Sequence, residues 1–196
     1  MHVVDTVITK VSLVMSRVGG VFLLLAALLI SVEILGRKFL FLPFNVGTEL
    51  STYALAVGAS WSFAQALLQR AHVRFDVLRS LLPPPARTFL DIVALVALAA
   101  FGLIVSWHVW DTVETSWSLG ARENTPLATP LFIPQLLWFW GTAWFAAVAI
   151  VETVRACSAL ARGDINTVNR IAAPLGVEDE IDEVLAETRA RYKGTG

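Results

Sequence analysis

Charge is scarce in this chain. Only 16% of its 196 residues are Asp, Glu, Lys or Arg, where a soluble domain carries about 25%. The deficit is uneven, because the charges sit between long apolar runs. That pattern excludes an ordinary soluble domain and fits a chain embedded in lipid. Cysteine is nearly absent. Cys157 stands alone, so neither an internal disulfide nor a cysteine-built metal cluster can form. An excess of positive charge is lacking too. The 15 Lys and Arg face 16 Asp and Glu, which leaves no basic face for nucleic acid.

Hydrophobic residues fill the space, at 56% of the chain. A helix needs about 20 mainly apolar residues to cross the hydrocarbon core. Residues 18–36, 46–69, 88–110 and 132–154 each meet that length. The expected fold class is an all-α membrane protein with four transmembrane helices. Lys10 and Arg17, followed by the apolar run from Val18 to Ile30, imitate a signal peptide. No small-residue cleavage site follows, and the run continues to Leu35, so it reads as an uncleaved first span. Upstream, Val4, Ile8, Val11 and Met15 share one helical face, with Asp5, Thr9, Ser12 and Ser16 on another. Residues 1–17 therefore read as an amphipathic segment. It is either an interfacial helix or a soluble extension of the span, and its few charges favour the interface.

Orientation follows from the basic residues, which collect on the cytoplasmic side. With the amino terminus inside, the inner segments carry Lys10, Arg17, Arg70, Arg74, Arg79, Arg87, Arg155, Arg162 and Arg170. The outer loops carry only Arg37, Lys38 and Arg122. Both ends are thus expected in the cytoplasm. Trp107, Trp110, Trp117, Trp138 and Trp140 gather where the third span leaves and the fourth enters. They form an aromatic belt at headgroup level, or a docking surface for an external partner. Between them, Thr125-Pro126-Leu127 and Thr129-Pro130-Leu131 predict an ordered loop, since a residue before proline is restricted to extended backbone. Residues 155–196 form the expected cytoplasmic tail. Within it, 178–191 reads as a short amphipathic helix or a frayed one, preceded by Pro174 and Gly176.

The span centres carry no charge, and Glu33, Glu49, Asp91 and Glu152 lie near span ends. An ionisable group inside a membrane is costly and marks function, so a proton relay is not expected. Glu33 and Arg37 form an i,i+4 pair, and Glu49 enters from the next helix. These three are expected either to join as an ion-pair cluster between the first two spans or to contact a partner subunit. Ala54, Gly58, Ser62 and Ala66 are each four apart. Such a small-residue stripe lets another helix approach closely, whether from this chain or another. After the second span, His72 and Asp76 can pair at i,i+4 if the segment from Arg70 is helical. His72 and His108 are separated by roughly the 30 Å of the bilayer, so they cannot share a haem. Ser60 and Ser62 have no His at their depth, which excludes a serine protease. No catalytic residue, cofactor or metal is expected.

Three places in the chain resemble the small membrane subunit, the DctQ-like family, of tripartite ATP-independent periplasmic (TRAP) transporters. The first is Gly47-Thr48-Glu49 with Val57-Gly58-Ala59 farther along the same span. The second is Arg70-Ala71-His72-Val73-Arg74-Phe75-Asp76, and the third is Leu82-Pro83 opening the third span. The threonine–proline loop before Pro134-Gln135 is similar as well. The resemblance covers roughly residues 15 to 155. It implies a multi-pass protein of the bacterial inner membrane. A large multi-span subunit holds substrate and sodium and moves as an elevator, and a periplasmic substrate-binding protein delivers a solute, typically an organic acid. The small subunit joins the static scaffold. Glu33, Arg37, Glu49, Ala54, Gly58, Ser62, Ala66, Arg70, His72 and Asp76 are then expected to contact subunits or lipids. The competing expectation is a stand-alone four-span transporter or channel acting as an oligomer.

Overall fold

The computed structural model describes residues 2–40, 46–70, 82–125 and 127–172. Every regular element among them is an α-helix, as the fold class anticipated. The helices are α1 (His2–Leu40), α2 (Gly47–Leu68), α3 (Pro84–Ser118), α4 (Phe132–Ala161) and the short α5 (Ile165–Ala172). Three contain stretches long and apolar enough to cross a membrane: Asp5–Phe39, Pro85–Ser118 and Phe132–Ala161. The 22 residues of α2 rise about 33 Å, enough to span. Its composition is more polar, with Ser51, Thr52, Ser60, Ser62 and Gln65 among its apolar residues.

Helix ends follow local chemistry. Pro84 and Pro85 open α3, where a missing N–H costs nothing. At the other end of α3, Gly120 adopts a φ of 57°. The amide of Ala121 then reaches back to Ser116 and that of Gly120 to Trp117, the pairing of a Schellman cap. Gly163, at φ 73°, closes α4 in the same way. The turn leads into α5, whose start is capped by Asp164. That carboxylate accepts from the Thr167 backbone at 3.0 Å and from its hydroxyl at 2.6 Å.

The helices pack in the order α1–α2–α4–α3, with α5 against α4 and α3. The Trp61 indole donates to the Leu137 carbonyl at 2.9 Å and, farther along both helices, Phe63 meets Phe145, so α2 and α4 run side by side in the same direction. One end of the bundle, the base, holds the start of α1 and the end of α4. The other, the rim, holds the start of α2 and the loop 119–131. The buried cluster lies toward the base and joins Ile8, Leu67, Leu95, Val148, Ala156 and Val168.

Residues 1–17, read as an interfacial helix or an extension of the first span, belong from His2 onward to the same unbroken helix as that span. The 39 residues of α1 run about 58 Å. The reason lies on α4. Ser12, at 0% exposure, accepts a hydrogen bond from the Trp144 indole at 3.0 Å. Asp5 pairs with Arg155, and Ile8 packs between them in the buried cluster. The polar face therefore turns inward where polar partners await it. The expected helix at 178–191 lies outside the described residues.

Candidate functional site

The rim carries Glu33, Arg37 and Glu49 of the residues singled out from the sequence. Glu33, near the end of α1, accepts from the Arg37 guanidinium and from the backbone amide of Gly47, the first residue of α2. A carboxylate there satisfies one of the orphan N–H groups of the helix start and favours its positive pole. It also replaces a local cap, since Val46 offers no side-chain bond.

Glu49 does not join that pair. Its carboxylate points away from α1, is 4% exposed, and accepts from the Tyr53 hydroxyl at 3.0 Å and from the Thr125 hydroxyl. Thr129 lies beside it. The expected three-membered cluster is therefore two separate carboxylate sites, two residues apart on α2. The physical reason is that Glu49 meets the Thr125 hydroxyl of the threonine–proline loop.

The small-residue stripe meets α1. A Cβ added to Gly58 would lie 2.9 Å from the Gly19 carbonyl and 2.7 Å from Leu23. Both glycines thus allow backbone to touch backbone. The Ser62 hydroxyl folds back onto the Gly58 carbonyl at 2.8 Å. Ala54 and Ala66, half-buried, continue the stripe. Ala54 also helps line an apolar hollow of about 300 Å³ between α1, α2 and α4. Phe22 and Leu25 form one wall, Tyr53 and Val57 the floor, Ile133 and Leu137 the other wall. Arg70 follows α2 in a left-handed conformation, φ 55°. His72 and Asp76 lie outside the described residues.

The aromatic rim is real and graded. Trp107 and Trp117 are 75% and 65% exposed. Trp117 stands edge-on to Phe132 with ring centres 4.6 Å apart, and Trp110 meets Phe139 at 5.1 Å. Trp61 and Trp144, outside that set, instead spend their N–H groups on bonds between helices.

At the base, Arg155 bridges Asp5 of α1 and Glu152 of its own helix, the latter at 2.9 Å. Sequence reasoning placed Glu152 at a span end but missed this network and the Ser12–Trp144 bond. The i,i+3 spacing of Glu152 and Arg155 was a usable signal, whereas nothing local links Asp5 to Arg155. Outside the apolar stretches, the Thr167 hydroxyl and then its amide hold the Asp164 carboxyl below the usual carboxylate range. Among the described residues, no group of three or more His, Cys, Asp or Glu could hold a metal.

The site thus consists of packing and hydrogen-bond contacts between helices, with charges confined to the two ends of the bundle. Comparison with curated proteins and with solved structures gives no match. Residues 7–159, most of the bundle, match the family described as tripartite ATP-independent periplasmic transporters, DctQ component, and the chain belongs to that family.

Proposed function

We propose that this protein is the small permease subunit of a TRAP-type secondary transporter and acts as scaffold rather than as pathway. It supports a large elevator-type subunit in sodium-coupled uptake of an organic acid or similar solute. The observation that carries the reading is the family match across residues 7–159, a family of transporter components rather than of enzymes. The charge distribution supports it. From Leu50 to Gln69 in α2 and from Phe132 to Val151 in α4, no Asp, Glu, Lys or Arg occurs. A path for a proton or a charged solute through these helices would call for ionisable groups at that depth.

The chain crosses the bacterial inner membrane four times with both ends in the cytoplasm. Support comes from α2. It runs parallel to the apolar α4 and packs between that helix and α1, so it crosses with them despite its more polar composition. Base and rim are then the cytoplasmic and periplasmic ends. The periplasmic substrate-binding protein approaches the rim. The large subunit and lipids cover the apolar flanks, where Leu24, Leu28 and Val32 of α1 are each more than 60% exposed.

Affinity purification of the tagged chain from its native membrane tests the reading. A multi-span membrane protein should copurify, and vesicles holding both should take up solute only with a sodium gradient. Recovery of the chain without any such partner would overturn it.

A further inference from the structure

The rim loop, residues 119–131, is a closed unit in its own right. The Glu123 amide donates to the Thr129 carbonyl at 3.0 Å and the Leu131 amide to the Ala121 carbonyl at 3.1 Å. The Arg122 guanidinium donates to the Ala128 carbonyl at 3.1 Å. These bonds close the loop on itself, and they stay protected only while the loop is seated on the bundle.

We propose that the Glu49 carboxylate is a latch that holds this loop on the first turn of α2 and so keeps its internal hydrogen bonds closed. Glu49 is almost fully buried. An ionised carboxylate offers about four acceptor positions. Here Tyr53 and Thr125 donate to it, and Thr129 lies beside it. Two of those three residues belong to the loop. Thr125 and Thr129 each precede a proline, which narrows the backbone conformations open to them. Glu123, also from the loop, lies beside the same Tyr53 hydroxyl. Tyr53 therefore stands between a carboxylate of α2 and one of the loop.

The latch joins more than two elements. Two residues earlier, Glu33 of α1 holds the first amide of α2. The rim ends of α1 and α2 and the connection between α3 and α4 are thus tied through the opening turn of α2. Glu49 is a positioning residue for the loop, and it acts whether or not the subunit assignment proposed above holds.

Amide hydrogen exchange on the purified full-length chain, or on the complex if it purifies as one, tests the latch. In Thr125→Val, the loop amides of Glu123, Ala128 and Leu131 should exchange about tenfold faster, the size expected for losing a hydrogen bond to a charged group. Glu49→Gln should accelerate the same amides at least as much, while amides in the middle of α4 stay protected. Thr125→Ser keeps the hydroxyl and should restore the parent rate. Unchanged loop exchange in Thr125→Val overturns the latch. So does acceleration in Thr125→Ser equal to that in Thr125→Val, because the methyl and not the hydrogen bond would then be responsible. Thr125→Val leaves α2 untouched, so the test stands even if Glu49→Gln fails to fold.

Discussion

The two ends of the bundle are held together by different means. At the base, α1 meets α4 through side chains. Arg155 reaches across to Asp5, Trp144 to Ser12, and α5 packs Val168 and Ala172 into the same cluster. At the rim, α1 and α4 stand apart, with the apolar hollow between them. Contact there runs instead through α2, by way of carboxylates that collect N–H and O–H donors. A base built on packing tolerates little change in volume. A rim built on a few charged hydrogen bonds is sensitive to the loss of single atoms.

The contrast can be broken at several points. The largest effect belongs to Gly58→Leu, at the crossing where the two regimes meet. The new side chain would collide with the α1 backbone, costing about 3 kcal/mol or more. Leu55→Ala, at a 61% exposed position on the same helix, should change little. Thermal unfolding of the purified chain compares them, and equal midpoints would show that the crossing is not tight.

Arg155→Gln comes next. It leaves Asp5 and Glu152 without their cation, and a loss of about 1–2 kcal/mol is expected given the partial exposure of Asp5. Combined with Asp5→Asn, the loss should be smaller than the sum of the two single effects. Strict additivity would mean that the pair does not tie α1 to α4.

The smallest effect is one of pH. The Asp164 carboxyl is held below its unfolded value of 3.8 by Thr167. Its capping of α5 is fully present above about pH 3.8 and is lost as pH falls through the lower folded value. Exchange of the Thr167 and Val168 amides should therefore rise, relative to amides in mid-α4, as pH drops below 3.8. Asp164→Asn should remove that dependence.

Much of this was legible in the residues, and what was not has a common cause. Apolar runs and prolines placed the helices, and Gly58 at four-residue spacing marked a face of close approach. Spacing identifies a face but not its partner, so only the structure shows that Gly19 of the same chain fills it. The threonine–proline steps predicted an ordered loop, but its target Glu49 lies 76 positions from Thr125. Glu49 was grouped with Glu33 and Arg37 because they are near in sequence. Asp5 and Ser12 were legible only as the polar face of an amphipathic segment. The partners that turn this face inward, Arg155 and Trp144, stand at the far end of the chain.

The crossing of α1 and α2 lies near the middle of a long, unbroken α1. For a straight rod this makes Gly19 a fulcrum. The close contact at the base and the open hollow at the rim are then two sides of one angle. Narrowing the hollow by tilting α1 toward α4 must lift its foot from Arg155 and Trp144. Whatever occupies the hollow is therefore felt at the opposite end of the same lever.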